Sequence, residues 1–261
     1  MKIYLLDLGS LVIDRSDVLW HIDVGTPVRF PVYGVYIDHP EGKFVFDTGY
    51  DLEHVKAVLP FELPEQTPEQ TLPAQLEKCG TSPDEIDYVI NSHFHFDHVG
   101  GNQYLKNATL ITSKFELRSL LVPEPFERLG YSDVAWYERG VTNVKFVEGD
   151  YQLAEGLTLF DTPGHTIRHI SLLAEPPGRK PMIFCGDAVY TQETLDKEII
   201  GGFHLDAVQS VESIRRIKEK ARQHDAEIFP SHEMESWETW KHAPEFYGAG
   251  GGIRRRASST D

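Results

Sequence analysis

Residues 93–98 read His-Phe-His-Phe-Asp-His, placing three imidazoles and a carboxylate within six positions, directly after the apolar run Ile86-Asp87-Tyr88-Val89-Ile90. Imidazole nitrogen with some carboxylate oxygen is the donor set favoured by borderline-soft divalent cations such as Zn²⁺. An extended strand alternates its side chains, so His93, His95 and Asp97 are expected on one face, with Phe94 and Phe96 in the core. His98 then requires the chain to leave strand geometry, and Gly100-Gly101-Asn102 supplies a turn. Three more candidates stand alone in short turns: His165 in Thr162-Pro163-Gly164-His165, Asp187 in Gly186-Asp187-Ala188, and His232 in Ser231-His232. Each follows an apolar run predicted to be a strand. Loops at strand ends, held by a rigid sheet, are where ligands from distant sequence can converge.

Periodicity and turn residues predict the elements behind these turns. Strands are expected at 2–7, 28–38, 43–47, 86–91, 108–112, 144–147, 157–161, 169–174, 181–185 and 227–230, and helices at 52–59, 74–78, 114–121, 206–223 and 235–242. The fourth helix has the clearest signature. Asp206 is its expected N-cap, Gln209 has capping-box spacing, and Val208, Val211, Ile214, Ile217 and Ala221 form one apolar stripe. Strands and helices mix along the whole length without a polar linker. The fold class is therefore α/β: one domain over residues 1–247, with two packed sheets or a sheet covered by helices. Residues 248–261, with Gly250-Gly251-Gly252 and Arg254-Arg255-Arg256, are expected to form a flexible C-terminal tail.

Composition narrows the function. The 261 residues are 40% apolar and 25% charged, an ordinary globular balance. Against 25 Lys and Arg stand 41 Asp and Glu, and the resulting net charge of −16 repels a phosphate backbone, so nucleic acid is not an expected partner. Two bound cations would move that charge upward by a few units without reversing it. Cys79 and Cys185 are too few and too far apart for a disulfide framework. Asp7 and Asp14 interrupt the apolar start, which reads as a first strand rather than a signal peptide. No run approaches the roughly 18 apolar residues of a membrane span. A soluble, cytoplasmic protein with no membrane partner is expected.

His93, His95, Asp97, His98, His165, Asp187 and His232 together spell HxHxDH, then H, D and H. In that order the chain resembles the metallo-β-lactamase superfamily, from Asp47-Thr48-Gly49 to His232. The resemblance implies an αβ/βα sandwich, two mixed β-sheets flanked by helices, with two divalent metal ions, Zn²⁺ expected, at one edge. It also implies that His93, His95 and His165 hold one metal, that Asp97, His98 and His232 hold the other, and that Asp187 bridges them. His21, His39, His54, His169, His224 and His242 are read as packed or surface residues, and His204 is left open. Two metals roughly 3.5–4 Å apart can share a hydroxide and polarise a carbonyl. On this reading Asp97 is the proton carrier and Tyr190 donates a hydrogen bond to the developing oxyanion. Asp47 would orient a ligand histidine.

Within the superfamily, class B β-lactamases commonly carry cysteine at the position of Asp187, and ribonuclease members fit the charge poorly. The segments 91–102, 162–166, 186–191 and 243–247 resemble the N-acyl homoserine lactonase family. Residues 28–33, 59–62 and 129–133 look at least as close to 4-pyridoxolactonase, which acts on a bicyclic lactone of vitamin B6 breakdown. The resemblance therefore implies a dinuclear lactone hydrolase, with N-acyl homoserine lactones (quorum quenching) as the first expectation and 4-pyridoxolactone as the alternative. A glyoxalase II type thioesterase and a non-catalytic lactone-binding scaffold stand behind them. Leu120, Leu121, Phe126, Leu129, Trp136 and Tyr137 could line an acyl groove, with Trp20, His21, Phe203 and His204 as further pocket candidates. The expected partner is a small-molecule lactone substrate. A homodimer is left open.

Overall fold

The first strand, β1 (Lys2–Asp14), sends Ile3 and Leu5 to one side and Tyr4, Leu6 and Leu8 to the other, and all five are buried. A strand covered on both faces belongs to a sheet between layers. The structure, a computed structural model, describes residues 1–138 and 143–248. One sheet runs in the order β1, β2 (Pro27–His39), β3 (Gly42–Phe46), β4 (Tyr88–Ile90), β5 (Thr109–Thr112) and β6 (Val144–Phe146). Its first three strands pair antiparallel and the rest parallel. The second sheet comprises β7 (Tyr151–Ala154), β8 (Leu157–Asp161), β9 (Ile170–Ala174), β10 (Met182–Phe184) and β11 (Glu227–Phe229), in the order β11-β10-β9-β8-β7. Only its β10–β11 pair is parallel.

Between the sheets Ile3, Leu5, Ile37, Phe44 and Ile90 meet Leu159, Leu172, Phe184 and Phe229. The short helices are α1 (Arg15–Val18), α2 (Leu52–Val58), α3 (Leu72–Lys78), α4 (Phe96–Val99), α5 (Lys114–Leu121), α6 (Ala135–Glu138) and α7 (Gln192–Lys197), and the long one is α8 (Ala207–His224). Val55, Leu76, Leu120 and Trp136 cover the outer face of the first sheet. Leu195, Ile214, Ile217 and Ala221 cover that of the second. This is the expected αβ/βα sandwich of two mixed sheets. Strands as short as β4 and β10 persist through burial, at roughly 1.5–3 kcal/mol per fully buried large apolar side chain. Among the described residues no helix is long and apolar enough to cross a membrane.

Several expectations require correction. The helix expected at 235–242 is a single 3-10 turn, Trp237–Thr239, because His242 and Tyr247 bridge to Leu5 and Ile3 and draw the chain along β1. Strand β7 carries too weak an alternation to have been read from sequence. In α8 Asp206 caps the Val208 and Gln209 N–H groups, but the Gln209 side chain donates to the Asp206 carboxylate rather than accepting from the cap's backbone N–H. Val208 is exposed, and Ser210 and Ser213 take part in the buried face instead. Apart from Gly248, the tail at 248–261 lies outside the described residues.

Candidate metal centre

The chain leaves β4 at Ile90 and does not stay extended through the six-residue motif. His93 to His95 form a loop and Phe96–Val99 one helical turn. This corrects the backbone path of the alternation argument, although Phe94 and Phe96 are both buried in the core as expected, Phe96 also lining a cleft. A network of amides holds the turn. The His98 carbonyl accepts from Asn91 Nδ2 at 2.8 Å and from the Thr48 N–H at 2.9 Å, and Asn102 Nδ2 donates to Asn91 Oδ1 at 2.8 Å. Gly100 is required by close approach, since a Cβ there would lie 2.1 Å from the Asp51 nitrogen.

The three isolated candidates arrive from the second sheet. His165 sits in the β8–β9 turn, where Gly164 adopts φ +128° and its carbonyl accepts from the Leu205 and Asp206 N–H groups at 2.8 and 2.9 Å. Asp187 follows β10 in a 3-10 turn, and His232 follows β11, its N–H donating to the Tyr190 carbonyl at 2.9 Å. All seven predicted residues meet at one edge of the sandwich in two groups: His93, His95 and His165; and Asp97, His98, Asp187 and His232.

In the first group His165 Nε2 lies 3.1 Å from His93 Nε2 and 3.0 Å from His95 Nδ1. In the second, Asp187 Oδ1 lies 3.2 Å from Nε2 of both His98 and His232, and Asp97 Oδ2 lies 3.5 Å from the same two nitrogens. Asp187 Oδ2 turns toward the first group, 3.5 Å from His165 Nε2 and 3.9 Å from His93 Nε2. Thus one carboxylate touches both.

Outer partners fix the rings. A carbonyl oxygen only accepts, so His165 Nδ1, 2.7 Å from the Phe203 carbonyl, and His232 Nδ1, 3.0 Å from the Pro31 carbonyl, carry hydrogens. Their Nε2 lone pairs therefore face inward. His98 Nδ1 is 2.9 Å from Asp47 Oδ2, and Asp47 Oδ1 accepts the Ser92 N–H at 2.7 Å, the orienting contact expected of Asp47. Among the described residues His98 Nε2 and Asp187 Oδ1, though 3.2 Å apart, are buried without a well-aligned hydrogen-bond partner, and inward-facing donors of this kind fit divalent cations. Burial, then the neighbouring imidazoles, holds His93 well below the ordinary histidine range, leaving a neutral ring. Burial opposes charge on His98 too, but Asp187 and Asp97 outweigh it and raise its pKa.

Above the clusters lies a cleft of about 350 Å³ lined by Tyr190, Asp97, Phe30, Phe126 and Leu129 among others. Tyr190 stacks on His232 at 5.4 Å, with its hydroxyl 3.5 Å from His165 Nδ1. Burial and then Asp187 raise its pKa, keeping the hydroxyl protonated as a donor. Of the apolar pocket candidates only Phe126, Leu129, Phe203 and His204 line the cleft. Leu120 and Trp136 are core residues, Tyr137 packs against that core, and Leu121 is exposed. Trp20 contacts the His204 ring edge-on and stacks with His21, and neither lines the cleft. His169, read as a packed histidine, is buried beside the first group, with Nδ1 2.8 Å from Thr162 Oγ1. Sequence reasoning missed the Pro31 and Phe203 carbonyls, which no side-chain pattern signals.

Residues 27–232 match the Metallo-beta-lactamase superfamily. The N-acyl homoserine lactonase AttM of Rhizobium radiobacter is 30% identical over 260 residues, covering 95% of this chain and 98% of that protein. An N-acyl homoserine lactonase of Bacillus cereus is 31% identical over 256 residues, 94% of this chain and 98% of that one. A solved N-acyl homoserine lactone hydrolase, with the product N-hexanoyl-L-homoserine at its catalytic metal center, superposes with a TM-score of 0.82 at 29% identity. That likeness covers 94% of this chain and 98% of the solved one.

Proposed function

The chain belongs to the metallo-beta-lactamase superfamily, and from that premise we propose that it is a dinuclear metal-dependent lactonase that opens the ring of N-acyl homoserine lactones. The observation that carries this reading is Asp187, whose two oxygens face two adjacent donor groups on the floor of one cleft. His93, His95 and His165 would hold one cation, Asp97, His98 and His232 the other, and Asp187 both. Zn²⁺ suits the five imidazoles and two carboxylates. When bound, such cations supply Lewis acidity toward the lactone carbonyl and acidify a water to a pKa of about 7.

The chain's own groups complete the reaction. Water adds its oxygen to the carbonyl carbon, the ring C–O bond breaks, and the leaving alkoxide must gain a proton. Asp97, on the cleft wall, is the carrier: it takes the water's proton and passes it to the ring oxygen. Tyr190 offers its hydroxyl to the carbonyl oxygen as negative charge develops there. Asp47, Pro31 and Phe203 keep three imidazoles aimed inward.

Steady-state assays of metal-loaded protein on N-hexanoyl-L-homoserine lactone and on 4-pyridoxolactone test this reading. Turnover of the first, lost on chelation, is expected. Turnover of the second alone would move the assignment to the bicyclic lactone, and turnover of neither would overturn lactone hydrolysis.

A further inference from the structure

The cleft holds a carboxyl group that this mechanism does not use. Glu62 ends the 3-10 turn Pro60–Glu62, is only 7% exposed, and lines the cleft with Ile13, Phe30, Leu59 and Asp97. No lysine or arginine lines that cleft among the described residues. The charged groups that act on Glu62 are the carboxylates of Asp97 and Asp17, and burial together with these two pushes its pKa up to about 8. The nearby cations are engaged elsewhere. Both terminal nitrogens of Arg29 donate to the Leu63 carbonyl at 3.2 Å, and the same side chain pairs with Glu65 at 3.0 Å, while Arg15 pairs with Asp23 and Glu193.

The segment that presents Glu62 is firmly held. Leu63 takes a left-handed φ of +43°, Ser10 and Glu65 exchange backbone hydrogen bonds at 2.9 and 3.0 Å, and the Tyr50 hydroxyl donates to the Glu65 carbonyl at 2.8 Å. Among the described residues no donor meets the Glu62 carboxyl, and a largely buried carboxyl so placed is costly for the protein alone. Its retention on a substrate cleft is explained if the substrate brings the donor.

We propose that Glu62 is a specificity-determining residue whose carboxyl oxygen accepts the amide N–H of an acylamino lactone while the lactone carbonyl lies over the two donor groups. The proposal rests on the lactonase reading. Ionised or protonated, the carboxyl keeps an oxygen lone pair for that N–H.

The test compares N-hexanoyl-L-homoserine lactone with its analogue in which CH₂ replaces the amide N–H, using the metal-loaded wild type, Glu62→Ala and the isosteric Glu62→Gln. The wild type should favour the amide by about 10- to 100-fold in kcat/KM, the range of one buried hydrogen bond to a charged or strongly polar group. Glu62→Ala should bring that ratio close to one by losing rate on the amide alone, and Glu62→Gln, which still offers an acceptor oxygen, should keep part of it. Equal losses on both lactones, or an unchanged ratio, would overturn the assignment of Glu62 and leave lactone hydrolysis standing. Absence of turnover on both lactones by the wild type would overturn the lactonase reading, and this proposal with it.

Discussion

The two halves of the molecule build the same site in opposite ways. The first sheet delivers four of the seven residues, His93, His95, Asp97 and His98, from one loop and helical turn that follow β4. The second delivers three, one from the end of each of β8, β10 and β11. The contiguous group is set by local hydrogen bonds around Asn91, Asn102 and Asp47, so its geometry survives small shifts of the sheet. His165, Asp187 and His232 depend on the register of a whole sheet and on α8 packed behind it. Damage to the dispersed half should therefore spread to both donor groups, whereas damage to the contiguous half should stay local.

Asp187→Ala is the most severe way to probe that contrast. It removes the one side chain that faces both groups, so kcat/KM should fall on the order of 10³-fold or more. Elemental analysis should find loss at both positions; retention of two cations per chain would show that the halves are independent.

Glu116→Gln probes the support of the His165 turn. Glu116, buried on α5, accepts the Arg168 N–H through Oε1 at 2.6 Å, and burial raises its carboxyl to about 7. A carboxyl raised above its ordinary value stabilises the fold while it stays protonated, and that contribution is lost as pH rises through about 7. Wild-type stability should thus fall relative to Glu116→Gln between pH 5 and pH 8, by about 3 kcal/mol. Denaturant midpoints at the two pH values measure it, and parallel curves would remove the cost assigned to Glu116.

Asp47→Ala has the smallest expected effect because Asp47 contacts a single ligand ring, His98, beside the Ser92 N–H. Loss of the 2.9 Å contact to His98 Nδ1 should weaken binding of a single cation by about 10- to 100-fold. Competition with a chelator reads this directly, and equal weakening at both positions would contradict the local character of the contiguous half.

The same contrast explains what could be read from the sequence. Four donors in six residues are visible without any structure, and turns after apolar runs flagged His165, Asp187 and His232. The backbone path was not visible: alternating His and Phe imitate a strand, yet Phe96–Val99 coils because the Asn91 and Thr48 donors gather on the His98 carbonyl. Pocket residues were legible only in part, since Leu120 and Phe126 look alike as letters while one is core and the other lines the cleft. Glu62 could not be singled out, because a carboxyl that lacks a partner is a property of its surroundings.

Stepwise addition of Zn²⁺ to metal-free protein, with bound metal and N-hexanoyl-L-homoserine lactone hydrolysis followed together, tests the central claim most directly. Two equivalents should bind, with full activity reached only as the second is taken up. Saturation at one equivalent with full activity, or two bound equivalents with no hydrolysis, would contradict it.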